Sequence, residues 1–331
     1  MKKITYLLMI VIWMSGTAFA GLTRIQTIDI HAGWNAIFLE VEPDQPDPDL
    51  LFAETSIKQV LAYYTKISPV QYIQSPDEIE FKQNGWYRWV PSEHPESILN
   101  NLHRLQANHA YLVFSETNYT WNLTGTPFFQ NRIWQPDSFN FTGFHVDPQA
   151  PPTFFQFFEG SKSHEKLIIY TLNQNNWEKI EYPSETNITS GKAYWVYCTG
   201  GSEYQGPMKI ILPSPDNALS YYLTNPLYEI RIVNQSPNPL SFTMMPLLNT
   251  NENNTPVPLS IIIYSDTMQK GFEPFTAYTP ENSIEAGDFS QIKLAIRRKE
   301  INQDSVSNLL KIMDDVGDVF YVKVWAENIR E

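Results

Sequence analysis

Hydrophobic and polar residues alternate along many short segments of this chain, and a period of two predicts β-strands. From Asn35 to Val41 the alternation follows a Gly-Trp pair and stops before Pro43, which predicts a half-buried strand. Further strand-like segments are Leu61–Thr65, the residues around Trp86, and Ala110–Phe114. The pattern therefore predicts a mainly β structure.

Two short helices interrupt these strands. Thr153 precedes four phenylalanines whose spacing places most of the rings on one face, and threonine is a favoured helix N-cap. Earlier in the chain, Asp49 precedes Leu50, Leu51 and Phe52 in the same way. We therefore expect Thr153 and Asp49 to begin the two helices.

The segment with the first helix resembles the segment with the second. Trp34 and Asn35 match Phe139 and Asn140 at an offset of 105 residues, and Val41 matches Val146. The later matches pair Leu61–Thr65 with Leu167–Thr171, Trp86 with Trp177, and Ala110–Phe114 with Ala193–Tyr197. An insertion at 67–81 shortens the offset. Such ordered matches predict an internal duplication.

Beyond residue 217 the pattern changes to strands separated by turn signals. The predicted strands are Glu229–Val233, Leu240–Met245, Ile261–Tyr264, Ile292–Ile296 and Tyr321–Trp325. Asp314–Asp318 fits a hairpin turn in which Gly317 has a positive φ. The prolines and polar residues at 213–217 suggest a linker. This part predicts an antiparallel β-sandwich.

Together these elements predict a mainly β chain with α+β repeats. Two sibling small antiparallel β modules, each with a short helix, occupy 21–130 and 131–212, and an immunoglobulin-like β-sandwich occupies 217–331. The recurrent aromatic residues are expected to fill two sibling cores, one in each module.

The first twenty residues have the features of a secretory signal. Lys2 and Lys3 precede an apolar run from Ile4 to Trp13, and Ala18-Phe19-Ala20 provides a cleavage site after Ala20. Without the two lysines the chain has 21 basic and 36 acidic side chains, a net charge of −15. The sequence predicts a secreted or periplasmic protein that inserts in no membrane after cleavage and binds no nucleic acid.

The opening Gly33-Trp34-Asn35 and the closing Gly191-Lys192-Ala193-Tyr194-Trp195-Val196 also resemble a known tandem module. That Gly-Trp-Asn and Gly-x-x-Tyr-Trp-Val repeat occurs with a β-sandwich in secreted and surface proteins of environmental bacteria, often linked to laminin-G-like domains. The resemblance implies this architecture at the cell surface. It implies no catalytic residues.

Tryptophans are the first candidates for a binding site. Trp89 and Trp134 have no counterpart in the other module, and Trp86 follows the insertion. With Trp121 they could form an exposed platform on which sugar rings stack. Carbohydrate binding is therefore a second hypothesis beside a core role for these rings.

Other candidate chemistry is sparse. Asp44, Asp47 and Asp49 lie on a proline-rich loop and could hold calcium, which prefers oxygen ligands. The loop lacks the glycine and the closing glutamate of an EF-hand, which favours a solvated acidic loop over a calcium site. Cys198, the single cysteine, lies in a strand-like run and is expected to be a buried, inert thiol. His145 alternates with Phe144 and Val146 and is expected to face solvent. Known catalytic and nucleotide-binding motifs are missing, so we predict no cofactor and no catalytic residues.

Three functional hypotheses remain after the sequence analysis. The first is a secreted, non-catalytic structural or interaction protein of the adhesion or scaffold type, with a protein or polysaccharide partner at the cell surface. The second is a carbohydrate-binding protein that uses the tryptophans. The third is an extracytoplasmic hydrolase, because paired carboxylates need not be close in sequence.

Overall fold

The computed structural model describes residues 22–64, 85–214, 216–247, 256–264 and 270–328. These residues form a mainly β structure with twenty strands and two short α-helices. None of the helices in the described residues has the length and apolar character that crossing a membrane requires. The predicted signal at 1–20 and the predicted insertion at 67–81 lie outside the described residues.

The first module consists of two antiparallel sheets. Its strands are β1 (Arg24–Ile30), β2 (Gly33–Leu39), β3 (Val41–Pro43), β4 (Ile57–Tyr63), β5 (Trp86–Trp89), β6 (His109–Ser115) and β7 (Tyr119–Pro127). Three of them form the sheet β1-β7-β3, and the other four form the sheet β2-β6-β4-β5. Side chains from both sheets, among them Ile30, Tyr111 and Trp121, pack into one core.

Helix α1 (Pro48–Leu51) crosses between β3 and β4. Its N-cap is Asp47, whose carboxylate accepts a hydrogen bond from the Asp49 amide at 2.9 Å. The prediction of Asp49 as the cap is therefore wrong by two residues. Pro48 explains the difference, because proline has a helical φ and is favoured at the first helical position.

The second module has one sheet and one helix. Its strands are β8 (Ser138–Thr142), β9 (Ile169–Asn173), β10 (Asn176–Lys179) and β11 (Tyr194–Cys198), in the order β10-β9-β11-β8. Helix α2 (Phe154–Phe158) begins at Thr153 as predicted. The Thr153 hydroxyl accepts from the Gln156 amide at 3.2 Å, and the Gln156 side chain accepts from the Thr153 amide at 2.9 Å. Phe154, Phe157 and Phe158 are buried against the sheet.

The four-stranded sheets of the two modules have the same strand order. The sequence match pairs β2 with β8, β4 with β9, β5 with β10 and β6 with β11. Each strand occupies the position of its counterpart, with β6 or β11 between two neighbours and β5 or β10 at one edge. The common order is what a duplication would produce, although its origin stays a prediction.

The recurrent aromatic residues do not fill two separate cores. Each module has its own core, but a further cluster lies between the two four-stranded sheets and takes buried side chains from both. Trp195 and Phe139 of the second module pack there with Phe38 and Trp86 of the first. The amide of Phe38 donates to the carbonyl of Gly191 at 2.8 Å across the same boundary. The two modules therefore have one core each, as predicted, and a third core that they form together.

The C-terminal domain is a β-sandwich of two sheets, as predicted. Its sheets are β12-β14-β18-β16-β17 and β13-β20-β19-β15. The strands are β12 (Met208–Ile211), β13 (Ala218–Ser220), β14 (Leu227–Asn234), β15 (Phe242–Leu247), β16 (Leu259–Tyr264), β17 (Lys270–Pro274), β18 (Phe289–Ile296), β19 (Ser305–Asp314) and β20 (Val319–Glu327). Hydrophobic side chains of both sheets meet in one core.

The sandwich begins earlier than the sequence predicted. Strand β12, at Met208–Ile211, pairs with β14 and so belongs to the sandwich. The predicted linker at 213–217 therefore joins two strands of one domain, β12 and β13, and separates no domains. Asn217 has a positive φ, which is typical of a tight turn. Proline and asparagine occur both in turns between strands and in linkers, so composition alone did not distinguish the two.

A buried ion pair joins all three parts of the molecule. Glu40 of the first module is 1% exposed, and its carboxylate accepts from the Arg24 guanidinium at 2.8 Å. The same carboxylate accepts from the Ser190 hydroxyl at 2.5 Å and the Gly191 amide at 3.1 Å, both in the second module. The Arg24 guanidinium also lies 4.8 Å from the centre of the Tyr321 ring in the sandwich.

Replacing Arg24 by alanine is expected to destabilise the protein strongly. Glu40 would lose its cation at a position that is 1% exposed, and breaking a buried ion pair costs about 3–5 kcal/mol. The Arg24 side chain is 23% exposed, so the loss should lie toward the lower end of that range. Arg104→Ala is the matched control, because the Arg104–Glu42 pair is largely exposed and such pairs contribute about 0–1 kcal/mol. Urea denaturation measures both changes. Equal, small losses in the two variants would contradict a stabilising role for the Arg24–Glu40 pair.

Candidate functional site

A cavity of about 750 Å³ lies where the two modules and the sandwich meet. Tyr63, Tyr64 and His109 line it from the first module, and Phe141 and His145 from the second. The sandwich contributes the start of β20, including Tyr321, and residues 127–135 complete the wall. We call residues 128–135, which lead from β7 toward β8, the connector.

Three side-chain amides fix the connector. Asn108 donates to the Phe128 carbonyl at 2.8 Å. Gln205 accepts from the Arg132 amide at 2.5 Å and donates to the Arg132 carbonyl at 3.0 Å. Asn140 accepts from the Gln135 amide at 2.7 Å and donates to the Gln135 carbonyl at 3.2 Å. A side-chain amide can satisfy a backbone N–H and C=O together, so the contacts of Gln205 and Asn140 each substitute for a strand pairing.

Arg132 turns its guanidinium into the second module. One nitrogen donates to the Gly143 carbonyl at 2.7 Å, and the group lies 4.4 Å from the centre of the Phe144 ring. Burial lowers the pKa of Arg132 to about 10, with the Asp318 carboxylate acting against the shift, so the residue stays charged at neutral pH. Gly143 itself packs against the first module, where a Cβ would collide with Phe38.

His145 is a cavity residue and does not face bulk solvent as expected. Strand β8 ends at Thr142, so the alternation predicted through His145 does not continue. Its Nε2 lies 2.6 Å from the Asn108 side-chain oxygen, and its ring packs edge-on against Phe38. Burial lowers the pKa of His145 to about 4 and also lowers the pKa of His109. Both histidines are therefore neutral at pH 7.

The turn between β19 and β20 docks on the second module. One Asp314 oxygen accepts from the amides of Val316, Gly317 and Asp318 at 3.1, 2.8 and 2.8 Å. Gly317 has the predicted positive φ, at 109°, and a Cβ there would collide with the Ala150 carbonyl. The Gly317 carbonyl accepts from the Asp147 amide at 2.9 Å. This hairpin carries Asp318 to the cavity wall.

Asp314 and Asp318 are buried acidic residues of this turn, 4% and 3% exposed. Burial and the neighbouring Asp314 carboxylate raise the pKa of Asp318 well above its usual range. Burial also raises the pKa of Asp314 to about 7, although its backbone donors act in the opposite direction. Desolvation disfavours the charged form of both groups.

The four predicted tryptophans form no exposed platform. Trp86, Trp89, Trp121 and Trp134 are 7%, 3%, 7% and 3% exposed. The Trp89 indole donates to Asp49 at 2.8 Å, and the Trp134 indole donates to the Tyr204 carbonyl at 2.7 Å. The prediction was wrong because a tryptophan without a counterpart can still fill a core. Of the four, Trp134 contributes to the cavity wall.

The predicted calcium ligands are also not assembled into a site. Asp47 caps α1, Asp49 accepts from Trp89, and Asp44 is exposed. Within the described ranges, no group of three or more His, Cys, Asp or Glu side chains is arranged to hold a metal ion. The carboxylates of Asp47 and Asp49 accept hydrogen bonds that order the loop and helix α1, which explains their presence without a metal ion.

Two potentially reactive groups lie away from the cavity surface. Ser161 and His164, whose side chains are 2.6 Å apart, are 4% and 1% exposed, and the His164 ring packs on Trp134. Cys198 is buried as predicted, and burial raises the pKa of its thiol to about 11. These positions give a substrate no access to either group.

No protein-family model and no curated protein matches the chain. Among solved structures, a PapD-like domain of human CEP192 is 6% identical and covers 38% of this chain and 87% of its own, with a TM-score of 0.24. A FixG-related protein from Vibrio parahaemolyticus is 8% identical, with coverages of 38% and 98% and a TM-score of 0.24. The YadV chaperone is 13% identical, with coverages of 38% and 53% and a TM-score of 0.23. At these values the similarities concern β architecture and support no functional inference.

The buried acids predict a stability that depends on pH. In the unfolded chain an aspartate loses its proton near pH 4, whereas folded Asp318 keeps its proton to a higher pH. Its contribution is therefore complete below pH 4 and is lost as the pH rises through the folded-state pKa, by up to about 1.4 kcal/mol per pH unit. Asp318→Asn should remove this term because asparagine does not titrate.

Urea denaturation from pH 4 to pH 8 tests this expectation. The free energy of unfolding of the wild type should fall relative to that of Asp318→Asn as the pH rises. The neutral histidines produce an opposite trend near pH 4–6, but they are present in both proteins and cancel in the difference. Glu54→Gln, at an exposed position away from this turn, should follow the wild type. A difference that is constant with pH would contradict a proton retained on Asp318.

Proposed function

We propose that this chain is an extracytoplasmic, non-catalytic binding protein whose ligand occupies the cavity between the two modules and the sandwich. The cavity itself is the observation that carries the proposal. Its volume of about 750 Å³ falls within the range of about 300–1,000 Å³ that is typical of small-molecule sites. Its wall combines aromatic side chains with a similar number of polar ones, so it offers both apolar contact area and groups that can orient a ligand.

The polar groups of the wall support binding more than catalysis. Hydrolysis by paired carboxylates needs two acidic groups on either side of the reacting bond. Among the described residues that line the cavity, Asp318 supplies one carboxyl, and it is almost fully buried. His145 already contacts Asn108, and both lining histidines have lowered pKa values, which makes them weak bases.

The location outside the cytoplasm rests on the N-terminal sequence. The basic, apolar and small-residue regions of residues 1–20 are in the order that secretory signals require. The excess of acidic residues fits a ligand other than nucleic acid or an anionic lipid surface. An adhesion or scaffold role at the cell surface is compatible with ligand capture in this cavity.

Filling the cavity is expected to abolish ligand-induced stabilisation. Thr142 of β8 and Gln135 of the connector line the cavity and are half-buried, so tryptophan at either position should occupy ligand space. The probes are neutral trisaccharides, short-chain carboxylates, free amino acids and medium-chain fatty acids. A probe at a hundred times its Kd stabilises the folded protein by about 2.7 kcal/mol, which a thermal-shift measurement detects.

We expect at least one probe class to stabilise the wild type and to leave Thr142→Trp and Gln135→Trp unchanged. Asn302→Trp is the matched control, because Asn302 is exposed and lies outside the cavity wall. Its stabilisation should equal that of the wild type. Stabilisation that persists in both cavity variants would place the ligand elsewhere, and no stabilisation by any probe would reject the proposal.

A further inference from the structure

We infer that the ligand of the cavity is a neutral oligosaccharide, an inference that rests on the proposed function. Three properties of the wall lead to this class: it offers no accessible charge, it presents several aromatic faces, and it carries side-chain amides without partners. Each property restricts the ligand in a different way.

The two charged residues of the cavity wall, Arg132 and Asp318, offer a ligand little free charge. The Arg132 guanidinium is bonded to the Gly143 carbonyl and covered by the Phe144 ring, and its second terminal nitrogen is buried. Asp318 is 3% exposed. An ionic ligand would lose its hydration in the cavity and gain no accessible counter-charge, which disfavours its binding. The wall therefore selects uncharged ligands.

Aromatic rings supply most of the apolar surface. Tyr63, Tyr64, Phe141 and Tyr321 line the cavity and are each half-buried, while Phe128 is 51% exposed at the connector. Large, rigid rings of this kind offer flat apolar contact area, and tyrosine adds a polar hydroxyl. A pyranose ring has an apolar face of C–H groups and a polar rim, so it matches such a surface.

The connector adds unused amides. Gln130 and Asn131 are exposed and Gln135 is half-buried, and all three line the cavity. None of these three side chains forms a hydrogen bond with another described residue, in contrast to Asn108, Asn140 and Gln205, which fix the connector. An amide offers one acceptor and two donors, and a sugar hydroxyl both donates and accepts. These amides are neutral partners for hydroxyl groups.

The volume indicates more than one sugar ring. A protein cavity of about 150 Å³ holds a single benzene molecule. The cavity described above, at about 750 Å³, has room for several linked six-membered rings. A short oligosaccharide, or one end of a longer chain, fits this size.

Isothermal titration calorimetry tests the inference with the full mature chain. The probes are maltotriose, cellotriose, xylotriose, mannotriose and tri-N-acetylchitotriose, with tri-galacturonate as the charged comparison. We expect at least one neutral trisaccharide to bind and tri-galacturonate to bind at least tenfold more weakly. The double variant Gln130→Ala/Asn131→Ala should weaken binding by about five- to 25-fold, the effect of losing one or two neutral hydrogen bonds.

The matched control is Asn302→Ala/Gln303→Ala, which removes two exposed amides that lie outside the cavity wall and should leave the affinity unchanged.

If no neutral trisaccharide binds, or if tri-galacturonate binds more tightly, the inference is overturned. The proposed function survives that result where a carboxylate, amino acid or fatty acid stabilises the wild type but not Thr142→Trp. The proposed function also fails if Thr142→Trp abolishes the binding of none of the probes used in the two experiments. Trisaccharide binding that Thr142→Trp leaves intact would overturn the assignment to this cavity.

Discussion

The packing of the two four-stranded sheets against each other is the interaction on which the rest of the structure depends. One face of each sheet packs against the core of its own module. The other face is also apolar: it carries Trp195 and Phe141 in the second module and Trp86 and Phe38 in the first, and these side chains pack together. Neither face could remain in water at low cost. Burying both joins the modules into one body and places β4 and β8 at the edge of the cavity.

Polar contacts then determine how the sandwich sits on that body. Glu40 accepts from both modules, and its partner Arg24 reaches the Tyr321 ring of the sandwich. On the other side, the Gly317 carbonyl and the Val319 amide bond to the second module. Buried polar contacts of this kind add no more to the free energy of unfolding than well-packed apolar residues would. They form only at particular distances and angles, so they restrict how the domains can be oriented. They fix the orientation of β20, whose first residues form a cavity wall.

Local sequence features predicted local structure well. Thr153 caps α2 and Gly317 has the positive φ that the hairpin turn requires, because both outcomes depend on a few adjacent residues. Asp49 was displaced as a cap by Pro48, and the segment at 213–217 proved to join two strands of the sandwich. Proline-rich composition marks a turn, and it does not distinguish a turn within a domain from a linker between domains.

The cavity could not be predicted in the same way, because its wall is formed by residues far apart in the sequence, from both modules and from the sandwich. Tryptophan content suggested an exposed platform, whereas the structure buries those rings and exposes amides of the connector, Gln130 and Asn131. The polar run Gln130-Asn131-Arg132 between two predicted strands was the one available signal. Its backbone is held by Asn108, Gln205 and Asn140, so the positions from which its free side chains project are fixed before a ligand arrives. Such preorganisation reduces the ordering cost of binding, which favours a recognition role for side chains that contribute nothing to the fold.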